Sequence, residues 1–194
     1  MARPREFAVD TVLERAMNVF WAKGYEAASL DDLCAATGLG RSSLYAAFGD
    51  KQELLLRTLD RYEKQGIARI TAALGRPVPV REAIAGFIDE LIDRIVVGPG
   101  RRGCFVGNCA AELSRRDRKV ATRVRRSMKC VEATFRVALV RARKRGEIGA
   151  DADVDALARF LVAGIQGLRL VGKANPDRAA LKDIASVILR CLNQ

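Results

Sequence analysis

Arg41, Ser42, Ser43 and Tyr45 stand within five positions of one another in GLGRSSLYAAFGDKQELL, residues 39–56. They offer a five-donor guanidinium and three hydroxyls, the groups that satisfy phosphate oxygens and the acceptor edge of guanine. Such side chains add little to a core, so a short segment carrying four of them faces something else. Other chemistries are poorly supplied. The chain has no histidine, which removes Ser–His and Cys–His nucleophile pairs, HExxH sites and histidine bases together. Its five cysteines, Cys34, Cys104, Cys109, Cys130 and Cys191, never fall in CxxC spacing, so no metal site is expected. No GxxxxGK[ST] loop occurs, no carboxylate pair stands out from surface charge, and neither a cofactor nor an enzyme activity is expected.

The elements that must hold those donors are helical nearly throughout. Val9, Leu13, Ala16, Val19 and Phe20 repeat at helical spacing and stop at Lys23-Gly24. Ser29 predicts the N-cap of a short helix with Asp31 and Asp32 at its positive end. Thr37-Gly38-Leu39-Gly40 is a turn, and a second short helix runs to Phe48. Asp50 then caps a long helix toward Leu74, which Arg76-Pro77-Val78-Pro79 ends. Ile84, Phe87, Ile88, Leu91 and Ile95 mark the next apolar face, closed by Gly98-Pro99-Gly100. A helix is expected from near Cys104, a long one from about Asp117 to Arg145, and two more over 153–172 and 177–192. The expected fold is all-α, about nine helices, with an N-terminal domain over 1–50 and a larger one over 51–194.

Residues 29–48 therefore read as two short helices joined by a glycine-containing turn, a helix-turn-helix. In that motif the second helix enters the DNA major groove. Leu44 and Phe48 would face the bundle, leaving Arg41, Ser42, Ser43 and Tyr45 outward. A small helical hairpin with solvated polar positions fits the spacing equally.

The run AMNVFWAKGYEAASLDDLCAATGLGRSSLYAAFGDKQELL resembles the N-terminal domain of TetR/AcrR-family transcriptional regulators. The shared pattern is aromatic-x-x-Gly-Tyr before a Ser/Thr, apolar-x-x-apolar-Cys/Ala, and Leu-Tyr-x-x-Phe-x-x-Lys-x-x-Leu, over about residues 8–59. The resemblance implies a three-helix DNA-binding domain followed by a larger helical ligand-binding and dimerisation domain. It implies phosphate contacts from Ser29 and Lys51 and recognition-helix contacts from Arg41, Ser42, Ser43 and Tyr45. Ala46 and Ala47 depart from the bulkier residues that many members carry there. The implied partners are a double-stranded DNA operator, a second copy of the chain as a homodimer, and a small-molecule inducer of unknown kind; the implied activity is repression. The rival reading is a helical ligand-binding protein or enzyme that keeps the hairpin without binding an operator.

Charge is unevenly spread. Residues 1–64 hold nine Lys/Arg against ten Asp/Glu, and residues 101–145 hold fifteen against three, so the net +11 lies outside the recognition motif. The plain reading of that segment is a solvated helix face; the others are an acidic ligand, a further phosphate contact or an acidic partner. Met1–Glu6 lacks the apolar stretch of a secretory signal, and Phe160–Gly172 is too short to span a bilayer. With an odd number of cysteines, a cytoplasmic location without membrane contact is expected.

In the C-terminal half, Ala163, Gly164 and Gly167 allow close helix approach. The resemblance makes Leu161, Ile165, Leu168, Ile184, Ile188 and Leu192 candidates for the dimer interface, although packing inside one chain explains the same residues. Phe87, Leu91, Met128, Val131 and Phe135 are candidates for lining a ligand cavity, although apolar positions at helical spacing are more often core. Cys104 and Cys109 are sensor candidates. A thiol in a first helical turn is acidified by the helix end and by Arg101 and Arg102, and some TetR-like regulators with a similar Gly-Cys helix start are thiol sensors. On one helix the two thiols would diverge by about 140°, with Cα atoms roughly 8–9 Å apart, out of disulfide reach. Both also suit small buried hydrophobes.

Overall fold

The computed structural model describes residues 3–192, with side chains from Val9 onward. Among these residues there is no strand. The helices are α1 (Arg3–Lys23), α2 (Leu30–Thr37), α3 (Arg41–Phe48), α4 (Lys51–Leu74), α5 (Val80–Val97), α6 (Phe105–Leu113), α7 (Arg118–Lys144), α8 (Val154–Ala174) and α9 (Arg178–Arg190), with a 3-10 turn at Pro99–Arg102. The expected all-α architecture is what forms. Gly98, Gly100 and Gly103 do match the Gly-x-Gly-x-x-Gly spacing of a dinucleotide loop. They follow a helix and make a 3-10 turn, so the strand-to-helix context that gives that spacing its meaning is missing.

Acidic caps start the helices where the sequence places them. Asp50 Oδ1 accepts the Glu53 N–H at 2.7 Å, and Asp117 Oδ1 accepts that of Val120 at 3.0 Å. Asp153 accepts from Asp155 and Ala156, and Asp177 from Ala179 and Ala180. Each satisfies donors that the helix itself cannot.

Two compact units result, one of Met1–Gln65 with Phe105–Val124, the other of Gly66–Cys104 with Arg125–Gln194. The first extends past residue 50 because the opening turns of α4 bury Leu54, Leu55, Leu59 and Tyr62. Trp21, Tyr62 and Phe105 make an aromatic cluster in its core. Tyr62 meets Trp21 edge-on at 5.3 Å and Phe105 edge-on at 5.7 Å, the favoured geometry for ring quadrupoles. The second unit is built on Ile84, Ile88, Ile92 and Ile95 of α5, Leu139 of α7, and Leu161 and Leu168 of α8. Glycine sets its closest approaches. A Cβ on Gly172 would lie 2.4 Å from Ile95 Cγ2, and one on Gly164 would lie 2.9 Å from Ile188 Cδ1. Gly167, in contrast, has nothing within 4 Å.

Candidate nucleic-acid interface

The hairpin forms from local chemistry. Ser29 Oγ accepts the Asp32 N–H, and Asp32 Oδ2 accepts the Ser29 N–H, each at 3.0 Å, a reciprocal capping box on α2. Gly38 closes α2 in the left-handed region at φ +76°, a conformation that costs a side-chain-bearing residue free energy. Gly40 occupies the N-cap of α3 without a side-chain hydrogen bond, so the first N–H groups of α3 are open to an anion.

The side chains of α3 divide cleanly. Leu44 and Phe48 are 2% and 3% exposed, whereas Arg41, Ser42, Ser43, Tyr45, Ala46 and Ala47 are all exposed. All four donors nominated from the sequence therefore lie on the solvent side of one helix. Lys51 opens α4, with its Nζ 4.4 Å from the centroid of the Tyr25 ring, a cation–π contact.

Several pairs were not evident from the sequence. The Arg41 guanidinium donates through Nη2 at 2.6 Å and Nε at 3.2 Å to one oxygen of Asp31, with both side chains more than half exposed. Lys23, in the last turn of α1, pairs with Asp32 at 2.6 Å. The pair with the Lys23 ammonium, followed by the Ser29 hydroxyl and N–H, lowers the Asp32 carboxyl to about 2. Glu112 of α6 accepts the backbone N–H of Tyr25 at 3.1 Å and of Glu26 at 2.8 Å. It also lies where a Cβ on Gly24 (φ +82°) would meet Oε2 at 3.0 Å. That carboxylate fixes the corner between α1 and α2.

The remaining nominated residues separate. Leu161, Ile165, Leu168, Ile188 and Leu192 are buried in the second unit's own core, and Ile184 packs against it. The large apolar side chains left exposed on α8 and α9 are Phe160, Leu170, Val171 and Val187. Phe87 and Phe135 are buried edge-to-face at 6.1 Å. Met128 is half-buried and takes a contact from Gln166 Nε2 at 3.8 Å. Cys104 and Cys109 are both buried, and none of the five cysteines is in a disulfide. Cys104 precedes α6 instead of lying within its first turn. In the basic segment, Lys119 pairs with Glu53, Arg123 with Asp60, Arg136 with Asp155 and Arg145 with Glu147, which lowers its effective charge. No helix among the described residues is long and apolar enough to cross a membrane, and no cluster of side chains there could hold a metal ion.

The chain is similar to known proteins along most of its length. Residues 12–58 match the family described as bacterial regulatory proteins, tetR family, and residues 75–188 match the tetracyclin repressor-like C-terminal domain. An uncharacterised HTH-type transcriptional regulator of Bacillus subtilis, YezE, is 34% identical over all of both chains. The HTH-type transcriptional repressor ComR of Escherichia coli is 34% identical over 97% of this chain and 90% of its own. Among solved structures, a cysteine-substituted form of the TetR family transcriptional regulator CifR was captured on 26-bp double-stranded operator DNA. It superposes with a TM-score of 0.81 at 34% identity, covering 93% of this chain and 95% of that one. The chain is a member of the TetR family of DNA-binding transcriptional regulators.

Proposed function

We propose that the protein is an effector-responsive repressor that acts in the cytoplasm as a homodimer. Two copies of α3 enter successive major grooves of a pseudo-palindromic operator, about 34–36 Å apart. The carrying observation is the division of α3, with Leu44 and Phe48 inward and Arg41, Ser42, Ser43 and Tyr45 outward. Arg41 reads a guanine edge, while Ser29, Ser42, Ser43, Tyr45 and Lys51 hold phosphates. The repressor ComR and the operator complex of CifR support the reading.

The second copy docks on α8 and α9. Phe160, Ala163, Gly167, Leu170 and Val171 recur along one exposed stripe of α8, and Val187 is exposed on α9. Apolar area of this kind on a soluble chain marks an interface. Effectors enter through the second unit, where two adjoining grooves of about 380 and 540 Å³ share Leu74, Gly75, Ala138 and Arg141. An effector that favours the form with low DNA affinity releases the operator by linkage. Burial of Cys104 and Cys109 supports packing over thiol sensing for both.

The test is a gel shift on the DNA upstream of the protein's own gene, against scrambled DNA of equal length and across salt. Sequence-dependent, salt-sensitive retention is expected. Equal retention of both DNAs, or of neither, overturns the reading.

A further inference from the structure

Among the exposed polar residues of α3, Arg41 is the one charged side chain, and it is bound to a carboxylate of α2. Asp31 is the second residue of α2. The capping box of that helix uses Ser29 and Asp32, so Asp31 is not spent on the cap. Its Oδ1 accepts from both Nε at 3.2 Å and Nη2 at 2.6 Å of Arg41. These two N–H groups belong to the side edge of the guanidinium. The plane is rigid and carries five N–H bonds. Occupying the side edge leaves the end edge, one N–H bond of Nη1 and the second of Nη2, facing away from the carboxylate. That end edge is the fork that matches guanine O6 and N7.

Resting on the operator-binding reading of α3, we propose that Asp31 is a specificity-determining positioning residue. It holds the guanidinium of Arg41 by its side edge, so that the end edge is presented to one guanine of each half-site.

Two consequences follow from the physical chemistry. The carboxylate fixes the plane of a side chain that is otherwise free to turn toward the nearest phosphate, so Arg41 gains base contact at the expense of backbone contact. The carboxylate also cancels the charge of Arg41 toward the DNA as a whole. This agrees with a DNA-binding end that holds nine Lys/Arg against ten Asp/Glu over residues 1–64. A weak general attraction and an oriented fork both raise the ratio of specific to random binding.

The experiment measures binding of the full chain to operator and to random DNA across salt, for wild type, Asp31→Asn, Asp31→Glu, Arg41→Ala and the double variant Asp31→Asn/Arg41→Ala. Asp31→Asn is expected to bind random DNA more tightly, with a salt slope steeper by about one per subunit. It should lose about ten-fold of its preference for the operator guanine over the other bases. Asp31→Glu should restore part of that preference. In the Arg41→Ala background the Asn substitution should leave base preference where it was. A structural role alone, through the charge at the start of α2, would lower thermal stability and weaken both DNAs equally, whether or not Arg41 is present. That outcome overturns the proposal, as does an unchanged operator-to-random ratio in Asp31→Asn. If wild type itself shows no sequence preference, the operator-binding reading fails first, and that failure is visible without any Asp31 variant.

Discussion

The α2–α3 hairpin and the α8–α9 pair are both incomplete on one side, but in opposite chemical senses. The hairpin buries Leu33, Leu44 and Phe48 and leaves hydroxyls and a guanidinium outside. The α8–α9 pair buries Leu161, Ile165, Leu168 and Ile188 and leaves Phe160, Leu170, Val171 and Val187 outside. Water solvates the first surface at little cost, so it waits for a partner that offers better acceptors. The second surface is driven to be covered whatever its partner, because apolar area is worth about 25 cal/mol per Å² when removed from water. A polar outer face therefore confers selectivity among partners, and an apolar outer face confers permanent association. The proposed operator-binding dimer needs both.

The comparison breaks most visibly on α8. Leu161 and Leu170 stand two and a half turns apart, about 180° around the helix, so Leu161→Asp and Leu170→Asp should behave as different kinds of variant. Leu161 is fully buried, and an unpaired carboxylate there is expected to cost more than about 4 kcal/mol and to unfold the second unit. Ile165→Asp and Ile188→Asp belong with it. Leu170→Asp and Val187→Asp should keep the helical circular-dichroism spectrum, sediment as monomers and lose operator affinity together with the dimer, since one half-site supplies too little contact. Intact dimers for both outer variants would place the interface elsewhere.

On the hairpin the effects are expected to be smaller and of two sorts. Arg41→Ala should cost about 1–3 kcal/mol of discrimination at particular base pairs. Lys51→Ala should weaken all sequences alike and flatten the salt slope by about one per subunit, and Tyr45→Phe should weaken all sequences alike without changing the slope. A titration series on operator and random DNA separates these outcomes. Equal weakening on both by Arg41→Ala would remove it from base reading.

What the sequence made legible follows from distance along the chain. The N-cap at Ser29, the turn at Gly38 and the inward Leu44 and Phe48 rest on contacts within a few residues, and periodicity and cap chemistry find those. Helix α8 was half legible. Its period located Leu161, Ile165 and Leu168 on one face, but period alone cannot say whether that face meets the same chain or another. The Gly164 step illustrates this, since the close approach that its spacing allows is made by Ile188 of the same chain. The hydrogen bonds of Glu112 to Tyr25 and Glu26 span 87 and 86 residues, and no local pattern carries them. Glu112→Ala should accordingly leave two backbone donors without their acceptor and cost about 1–2 kcal/mol, read by urea unfolding. A midpoint equal to that of wild type would mean that water replaces the carboxylate at no loss.

The smallest expected effect tests how firmly α2 is seated, and it runs through pH. In the folded chain the Asp32 carboxyl is lowered from 3.8 to about 2, first by its hydrogen bond to Lys23 and then by those to Ser29. A carboxyl held below its unfolded value binds fewer protons in the native state than in the unfolded one. Its contribution to stability is therefore complete above about pH 4, shrinks as pH falls, and is gone below about pH 2. The group is open to solvent, so the effect belongs in the titration curve before it shows in the melting temperature. Lys23→Ala and Ser29→Ala should each move the Asp32 titration back toward 3.8. Ser29→Ala should also cost about 1 kcal/mol through the lost cap, whereas Lys23→Ala, which breaks only an exposed pair, should cost less than that. Carboxyl carbon shifts followed by NMR from pH 5 to 1.5 give the three midpoints directly. If Asp32 already titrates near 3.8 in wild type, neither the bridge from Lys23 nor the Ser29 N–H bond to its carboxylate is held in solution, and the Ser29 Oγ cap alone starts the helix that carries Asp31.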